Sequence, residues 1–499
     1  MVAVQDVDQQ WIQAVEEYVA TALERCGDTY GPSPTPMLAD EIDLGTGAPN
    51  SWDGSVLSNL ANQQNFARVQ EGLSALTGDE RHRQGAEERI GYALERLSDQ
   101  ASGMLYWGGH SNYDLRAAQP LVGCHELKCS YPHYALMGRV NPQVARGCME
   151  GFWHAHVCDW PTLLFNRHGE YADWDRSTLW RGEFAGGPLP IIENWDLSFI
   201  NTGSDLIHAA AHLASLTGAT EPLEWARHLL SRYEQIRHPE TGLAGYQFNH
   251  RDPCRVRTAF KPPLNERADI NEVTVIKNGT IEVRYGRAAI TFLNLAAELG
   301  PEAGQEYTAF ATRDLTALAD HSYDRQAQCF HALLVDGTWL EPEMTVDGEG
   351  YCPPYRLVPL RANGLMLLAY AQAYRLSGQE TLLGMARELA SSAMADTAQL
   401  AGPDDGACAL MGRLELYGAT GEAGELAAAR AWGARMLSAY PAQNLFADGK
   451  GSASIDGLLP LALLHLAGAG ADARDALPLF YTSQTAFDPK VVIDRRQNG

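Results

Sequence analysis

The stretch LASLTGATEPLEWARHLL at residues 213–230 joins the end of one apolar helical pattern to the start of another. Gly218 stands between the two patterns, and glycine is the residue that most often follows the end of a helix. The stretch therefore predicts two consecutive helices joined by a short turn, which is a helical hairpin.

The same arrangement recurs along the chain. It is found in LSALTGDERHRQGAEE (73–88), LAAELGPEAGQEYTAFA (295–311), AYRLSGQETLLGMARELA (373–390) and LYGATGEAGELAAARAW (416–432). The turn glycines are Gly78, Gly218, Gly300, Gly378 and Gly421. Their spacing indicates one hairpin per roughly 40 to 50 residues, some disguised by insertions, so that about six or seven hairpins fit.

Repeated hairpins either stack as an open solenoid or close into a ring of inner and outer helices. Long polar and aromatic segments, such as 104–134 and 165–204, separate the helical patterns. Loops of this kind build a cleft at one end of a ring. We therefore predict a mainly α fold, an (α/α)6–7 barrel or toroid of helical hairpins, as a single domain over residues 1–499.

Two segments break the helical pattern. Residues 246–285 contain the β-branched runs VTVI and TIEV on either side of Asn278-Gly279, a dipeptide typical of two-residue β-hairpins. Residues 330–358 are also strand-like and are rich in proline and glycine. We predict small β-hairpin or loop excursions at both segments rather than separate domains.

The charge balance excludes some classes of partner. The chain has 38 Lys and Arg against 62 Asp and Glu, which gives a formal net charge of −24. Nucleic acids and anionic membranes require a basic surface, so neither is an expected partner. A polyanionic substrate would require a locally basic cleft.

The cysteines and the amino terminus bear on location. The nine cysteines include no CxxC pair, so neither a disulfide framework nor a structural zinc site is predicted. Residues 1–26 form an acidic amphipathic pattern without the basic head, apolar run and cleavage site of a signal peptide. No stretch reaches the ~18 apolar residues of a membrane span. We therefore expect a cytoplasmic protein that does not cross a membrane.

Polar and aromatic residues concentrate between Leu105 and Asp196. The segments are YWGGHSNYDL (106–115), CHELKCSYPHY (124–134), FWHAHVCDW (152–160), FNRHGEYADWD (165–175) and IIENWDLSF (191–199). More than half of the 11 tryptophans lie here, and indole rings suit stacking against sugars. We predict substrate contacts from Trp107, Asn112, His125, Lys128, Tyr131 and Trp195.

Four motifs in this region together resemble the family 2 polysaccharide lyases, a family of pectate lyases. They are WGGH (107–110), HELK (125–128), AHVCDW (155–160) and NRHG (166–169). The resemblance covers residues 105–200, with looser agreement in the helical patterns elsewhere. It implies an α/α barrel and a transition-metal cofactor.

The resemblance also implies a metal centre in which His110, Glu126 and His168 hold a divalent ion. His125 and His156 are alternatives to His110, because the separation of His110 and Glu126 is short for the family. The implied ion is Mn²⁺, with Ca²⁺, Mg²⁺ or another transition metal as alternatives.

Such a metal centre can assist the cleavage of a uronate glycan. The C5 proton of a uronate is weakly acidic until the adjacent carboxylate is neutralised, which a cation held by nitrogen and oxygen ligands can do. The resemblance implies that Arg167 is the Brønsted base. An arginine can act in this way only where nearby positive charge, such as a divalent metal, lowers its pKa. A general acid or water then protonates the O4 leaving group.

The second basic residue of the family, a lysine, has no clear counterpart. The sequence offers Arg284, Tyr285 and Arg287 near the expected position, whereas the nearby lysines are Lys261 and Lys277. We predict Arg284 and Tyr285 as catalytic candidates, because tyrosine acts as acid or base in other lyases. Replacement of the lysine would indicate a substrate other than pectate.

The predicted function is a polysaccharide lyase that cleaves an anionic uronate oligo- or polysaccharide by metal-assisted β-elimination, leaving an unsaturated uronate end. One alternative is an α/α-barrel glycoside hydrolase with a carboxylate pair. That pair would come from Asp173, Asp175, Glu183, Glu193 and Asp196. Another is a non-catalytic carbohydrate-binding helical protein. His208 and His212 lie four residues apart on one helical face and are expected to be structural.

Overall fold

The computed structural model describes residues 6–52, 54–189, 191–192, 197–346, 350–361, 363–393, 402–447, 451–470 and 473–484. The α-helices are α1 (Asp6–Cys26), α2 (Gln64–Thr77), α3 (Glu80–Leu97), α4 (Tyr134–Val140), α5 (Pro142–His156), α6 (Ile200–Thr217), α7 (Glu221–Gln235), α8 (Cys254–Arg257), α9 (Asn278–Thr280), α10 (Ala289–Ala303), α11 (Gln305–His321), α12 (Gly364–Ser377), α13 (Glu380–Ala393), α14 (Pro403–Thr420), α15 (Ala423–Ala439) and α16 (Leu459–Ala469).

Short strands connect these helices. They are β1 (Gly27–Asp28), β2 (Thr35–Leu38), β3 (Glu41–Asp43), β4 (Ser51–Trp52), β5 (Ser55–Ser58), β6 (Asn112–Asp114), β7 (Gln119–Leu121), β8 (Val157–Asp159), β9 (Leu164–Phe165), β10 (Val275–Ile276), β11 (Tyr323–Asp324), β12 (Cys329–Phe330), β13 (Leu333–Leu334), β14 (Leu360–Arg361) and β15 (Ser452–Ser454). They pair in small sheets, of which the four-stranded sheet β4-β5-β6-β7 has antiparallel neighbours throughout.

The chain divides into two compact units. The first comprises the described residues of Met1–Ala155, His168–Trp174 and Thr397–Gly499, and the second comprises those of His156–Arg167 and Asp175–Asp396. In the first unit α2 packs on α3 and α14 on α15, while α16 contacts α1, α2 and α14. In the second unit the hairpins are α6–α7, α10–α11 and α12–α13, and α10 contacts both α6 and α12. The prediction of a mainly α fold of helical hairpins with small β excursions is confirmed.

The predicted turn glycines do end helices. Gly78, Gly218, Gly378 and Gly421 are each the C-cap of a helix in the left-handed conformation, with φ between 67° and 74°. Each donates its backbone N–H to the carbonyl four residues earlier, which satisfies an otherwise unpaired acceptor at the helix end. Gly300 differs, because it forms a kink inside α10 with φ 77° and ψ 178°.

The β-hairpin predicted at Asn278-Gly279 is wrong. This dipeptide lies in α9, and the following residues, Ile281–Ala288, form a π-helical segment that continues into α10. The spacing of the buried residues explains the error: Ile281, Arg284, Tyr285 and Ala288 lie on one helical face, although β-branched neighbours favour a strand.

The two segments predicted as excursions pack against each other. Strand β10, from the first segment, pairs antiparallel with β13, from the second. A shared apolar cluster includes Val256, Phe260 and Ile270 from the first segment and Leu340 and Leu357 from the second. The strand-like character of residues 330–358 is thus partly realised in β12 and β13. Among the helices described, none combines the length and apolar character needed to cross a membrane.

Candidate metal centre

A β-hairpin in the first unit brings two of the predicted metal ligands together. His110 precedes β6, and Glu126 follows β7 after a short connection. The antiparallel pairing of β6 with β7 returns the chain to the vicinity of His110. The backbone of Gly108 then pairs with that of Glu126, and the Gly109 N–H donates to the Glu126 carbonyl at 2.8 Å. The short separation of His110 and Glu126 in sequence is therefore the length of one hairpin.

Glycines make the close approach of these two segments possible. A methyl group on Gly108 would overlap the Glu126 carbonyl oxygen, and one on Gly109 would overlap the Glu126 carboxylate. Gly108 also has a φ of 93°, which strongly favours glycine. A methyl group on Gly123 would overlap the carbonyl oxygen of His110. Gly108 therefore makes room for the backbone of Glu126, and Gly109 makes room for its carboxylate.

Asn59 fixes the turn that carries His110. Its side-chain oxygen accepts the Gly108 N–H at 3.1 Å, and its amide nitrogen donates to the carbonyls of Gly108 at 2.6 Å and Ser111 at 3.2 Å. Asp40 in turn accepts the backbone N–H of Asn59 at 2.9 Å. All of these side chains are buried, so the turn has little freedom to move. Sequence reasoning missed Asn59, because its contacts are with the backbone of residues distant in the chain.

A second backbone pairing positions His168. The His125 N–H donates to the Gly169 carbonyl at 2.8 Å, and the Gly169 N–H donates back to His125 at 2.9 Å. His125 itself is buried, and its Nε2 accepts the indole N–H of Trp107 at 2.8 Å. His125 thus supports the segment that carries His168, and its own Nε2 is already hydrogen bonded.

The three predicted ligands converge on one point. His110 Nε2 lies 3.2 Å from His168 Nε2. The Glu126 carboxylate lies 3.1 Å from His110 Nε2 through Oε2 and 3.4 Å from His168 Nε2 through Oε1. The Glu126 side chain is almost fully buried, whereas that of His168 is 30% exposed, so the cluster opens on the His168 side.

Positive and hydrogen-bonding neighbours keep Glu126 ionised. Burial alone would raise its pKa, but hydrogen bonds from His110 and His168 and the charge of Lys128 hold the pKa well below its usual range. The Lys128 ammonium lies 2.8 Å from Glu126 Oε1 and is 31% exposed. The cluster therefore presents a carboxylate, two imidazoles and a partly accessible cation.

This donor set fits a divalent metal ion. Two nitrogen donors bound to one ion at about 2.1 Å stand about 3 to 3.5 Å apart, a range that includes the separation of the two Nε2 atoms. Two imidazoles with one ionised carboxylate are common ligands of transition metals and leave positions open for water or substrate. Cys124 adds a further potential donor, since its Sγ and ligand nitrogens of His110 and His168 all lie within 4.8 Å of one another.

The alternative histidines have other surroundings. His156 Nδ1 lies 2.8 Å from the carbonyl oxygen of Asn166, and both residues belong to the second unit. On α6, the Nε2 atoms of His208 and His212 lie 3.1 Å apart, and Glu298 on α10 lies 3.7 Å from His212 Nε2. The predicted structural role of the α6 pair stays a prediction.

Arg167 immediately precedes His168 and is partly buried. Its guanidinium carbon lies 5.6 Å from the centre of the Phe199 ring. A cation over an aromatic face is attracted by the electrons of the ring, so this contact helps to place the guanidinium. The role of Arg167 as base stays a prediction.

The structure assigns Arg284 and Tyr285 to the interior of the second unit. Arg284 is fully buried and pairs with Asp314 at 2.9 Å. The Tyr285 hydroxyl donates to the Ala244 carbonyl at 2.8 Å and accepts the Ala244 N–H at 3.1 Å. Burial raises the pKa of Tyr285 well above its usual value. Both groups are held in the interior by these contacts, and their catalytic roles stay predictions.

The neighbouring lysines also differ in accessibility. Lys261 donates to the Glu343 carbonyl at 2.9 Å on the surface. Lys277 is buried against the Tyr351 ring and donates to the Tyr351 carbonyl at 2.9 Å. Burial lowers the pKa of Lys277 to about 8.

The predicted substrate contacts are mostly buried. Trp107, Asn112, His125 and Tyr131 have almost no exposed surface, and their contacts with a substrate stay predictions. Asn112 is notable because neither its amide nitrogen nor its amide oxygen has a hydrogen-bond partner within the described part of the chain. Lys128 is partly accessible. Trp195 lies outside the described residues.

The carboxylates of the hydrolase alternative are surface residues where the structure describes them. Asp173, Asp175 and Glu183 are exposed, and Asp175 caps a short helical turn by accepting the Ser177 N–H at 3.0 Å. Glu193 and Asp196 lie outside the described residues.

Solved structures with some similarity to this chain include sugar-modifying enzymes. A D-mannose isomerase is 15% identical with a TM-score of 0.45, covering 78% of this chain and 87% of that one. An inactive variant of an α-1,6-mannanase from Salegentibacter sp. HEL1_6 is 12% identical with a TM-score of 0.43, covering 92% and 99%.

Sequence similarity is higher with a curated protein. A pectate disaccharide-lyase from Dickeya dadantii (strain 3937) is 38% identical over 260 residues, which are 48% of this chain and 47% of that protein. The match thus spans about half the length of the curated relative.

The family model described as periplasmic pectate lyase matches residues 35–490. This description overturns the expectation of a cytoplasmic protein, which was argued from the amino-terminal residues alone. The match covers most of the chain and includes all four motifs of the resemblance. The chain therefore belongs to this pectate lyase family, the family 2 polysaccharide lyases.

Proposed function

We propose that the chain is a polysaccharide lyase that cleaves a uronic-acid glycan of the pectate class by metal-assisted β-elimination. The observation that carries the proposal is the convergence of His110, Glu126 and His168 within hydrogen-bonding distances of one another. Membership of the pectate lyase family supports the substrate class. The activity named for the Dickeya relative is consistent with it.

His110, Glu126 and His168 would hold the cation. Its chemical contribution, when bound, is to neutralise the carboxylate of the substrate and so make the C5 proton more acidic. Glu126 is suited to this position because its low pKa keeps it ionised at neutral pH. Lys128 adds a positive charge beside Glu126 and attracts the anionic substrate to a protein whose net charge is −24.

The reaction has a simple balance of bonds. Arg167 acts as the base and accepts the C5 proton of the uronate. The electron pair of the C5–H bond forms a C4–C5 double bond, and the C4–O4 bond breaks. The O4 leaving group takes a proton from water or a general acid, which yields one shortened glycan and one unsaturated uronate end.

The first test is product formation from uronate oligomers. We expect an ultraviolet-absorbing unsaturated product that is lost after chelation and returns on addition of Mn²⁺. The absorbance arises only from elimination, so it distinguishes a lyase from a hydrolase. New reducing ends without this absorbance would instead support the carboxylate-pair hydrolase, and binding without turnover would support a carbohydrate-binding protein.

The second test separates metal binding from proton transfer. Glu126→Ala is expected to abolish both metal binding and turnover, because it removes the buried carboxylate donor. Arg167→Ala is expected to abolish turnover while leaving the metal content unchanged. Metal content is measured after gel filtration, and elimination is followed by absorbance.

Arg176→Ala is the matched control, since Arg176 is an exposed arginine on a nearby helical turn. It is expected to keep both metal and activity. Full activity of the Glu126 and Arg167 variants would reject the proposed centre and base.

A further inference from the structure

We propose that Cys124 supplies a thiolate donor to the metal centre and thereby increases the preference of the site for softer divalent ions, such as Zn²⁺ or Co²⁺, over Mn²⁺. This inference rests on the proposed function, because it concerns the same centre. It adds a sulfur ligand to the two imidazoles and the carboxylate, and it changes the class of ion expected there.

The position of Cys124 carries the inference. Its Sγ, one ring nitrogen of His110 and one ring nitrogen of His168 all lie within 4.8 Å of one another. Donors bound to one tetrahedral ion at about 2.0 to 2.3 Å stand about 3.3 to 3.8 Å apart, so a movement of the sulfur by about 1 Å brings all three atoms into contact with one ion. Cys124 also lies two residues before Glu126, on the segment that already supplies the carboxylate.

The backbone around Cys124 is held in place. The Ser111 hydroxyl donates to the Cys124 carbonyl at 3.3 Å and accepts the Gly123 N–H at 3.2 Å. Gly123 lies so close to the His110 carbonyl that a side chain there would overlap it. These contacts keep Cys124 beside His110.

Two other cysteines, Cys26 and Cys148, have surroundings that suit a structural role. Cys26 and Cys148 are fully buried, and burial raises the pKa of each thiol to about 12. Such thiols are inert towards metals, which bind thiolates. Cys124 instead is partly exposed and lies beside two imidazoles.

The chemistry of coordination gives the preference for a softer ion. When the sulfur–metal bond forms, the Cys124 thiol loses its proton to solvent, so metal binding releases a proton. Thiolate and imidazole ligands select Zn²⁺ and similar ions, whereas Mn²⁺ favours oxygen ligands. The mixed nitrogen, oxygen and sulfur set therefore favours the softer ions.

The test uses the full-length protein loaded with Co²⁺, whose spectrum reports its ligands. We expect the wild-type protein to show visible cobalt bands and a near-ultraviolet sulfur-to-cobalt charge-transfer band. Cys124→Ser should lose the charge-transfer band and keep the visible bands, because His110, Glu126 and His168 still hold the ion. Cys158→Ser is the matched control, since Cys158 is an exposed cysteine, and it should keep both sets of bands.

Metal affinity gives a second readout that does not depend on turnover. Cys124→Ser is expected to weaken Zn²⁺ binding by about tenfold or more, and to change Mn²⁺ binding much less. Both affinities are measured by competition with a chromophoric chelator. Equal loss for both ions would overturn the inference.

The outcomes separate this inference from the proposed function. Bound cobalt without a charge-transfer band in the wild-type protein overturns the role of Cys124 and leaves the three-ligand centre intact. A band that survives in Cys124→Ser also overturns it, because another cysteine then binds the ion. Failure of every variant and of the wild type to bind cobalt overturns the metal centre itself.

Discussion

Gly109 is the residue on which the position of the Glu126 carboxylate depends. A methyl group at Gly109 would overlap Glu126 Oε2. Because the carboxylate is the flexible end of a side chain, Gly109→Ala is expected to displace it without unfolding the protein. Metal affinity should fall by about tenfold to a hundredfold, the range seen when the support of a metal ligand is disturbed. Calorimetric titration with Mn²⁺ and Zn²⁺ measures the change.

Gly424→Ala is the matched control for this substitution. A methyl group there would meet no neighbouring atom, and alanine favours the helix α15 in which it lies. Unchanged metal affinity is expected. If Gly109→Ala bound metal as tightly as the Gly424 variant, the close packing of Gly109 on Glu126 would have no role in the centre.

Individual residues differ in how far the sequence could reveal them. The family resemblance implies His110, Glu126 and His168 as metal ligands through short motifs, and that role stays a prediction although the structure brings the three side chains together. Asn59 acts through backbone hydrogen bonds to residues far along the chain, which no local pattern records. The proximity of Cys124 to His110 and His168 is not evident from the sequence, because the neighbours of Cys124 in the chain do not show which histidines the hairpin brings beside it.

The hairpin α6–α7 depends on a close contact between one glycine and one tyrosine. Gly203 on α6 lies against the ring and hydroxyl of Tyr233 on α7, and a methyl group on Gly203 would overlap that hydroxyl. Both residues are buried. Gly203→Ala is therefore expected to lower the free energy of unfolding by about 1 to 3 kcal/mol, as overpacked cores do. Urea denaturation followed by circular dichroism measures the loss.

A double-mutant cycle tests the source of this effect. Tyr233→Phe removes the overlapping hydroxyl together with its 3.1 Å hydrogen bond to the Ser198 carbonyl. Gly203→Ala should then cost less in the Tyr233→Phe background than in the wild type. Strict additivity of the two substitutions would show that they do not contact each other in the folded protein.

At the scale of elements, the sequence predicts helix ends better than it predicts short strands. The glycines at 78, 218, 378 and 421 mark helix ends because a left-handed C-cap needs little support from the rest of the fold. The segment after Asn278-Gly279 fails as a hairpin because burial of Ile281 and Tyr285 on one helical face outweighs the strand preference of its β-branched residues.

The stability of the whole molecule should depend on pH through two buried carboxyl groups. Burial raises the pKa of Asp40 to about 7 and that of Asp456 to about 8, against about 3.9 in an unfolded chain. In the folded protein these groups hold protons that the unfolded chain has already released. Raising the pH through this window therefore destabilises the folded state, by at most about 1.4 kcal/mol per pH unit for each group.

The clearest interval lies between about pH 6.5 and pH 8. Below about pH 6.5, His133 and His465 have the opposite effect on stability. Burial lowers the pKa of each imidazole, so the unfolded chain binds protons that the folded protein does not, and the free energy of unfolding rises with pH. We expect Asp456→Asn to flatten the fall in unfolding free energy above pH 6.5, measured by urea denaturation with a chelator present. The exposed Asp173→Asn should leave the slope unchanged. A wild-type protein whose stability rises across this interval would contradict the prediction.

For the whole molecule, the sequence predicts the mainly α class and the lyase family. Both predictions are possible because hairpin repeats and combinations of motifs can be recognised within one sequence. The single-domain boundary of 1–499 stays a prediction, and the structure contains two compact units. The positions at which the chain passes from one unit to the other depend on contacts between residues that are distant in sequence. Periodicity does not encode such contacts.

The backbone pairing between Gly109 and Glu126, and between His125 and Gly169, has a kinetic consequence. In the proposed metal centre, an ion would leave when a ligand side chain moves away. Each ligand belongs to a segment that is hydrogen bonded to another ligand-bearing segment. The residence time of the ion is then governed by how often these pairings open locally. Slow deuterium uptake at the amides of Gly109 and Gly169 should accompany slow metal loss.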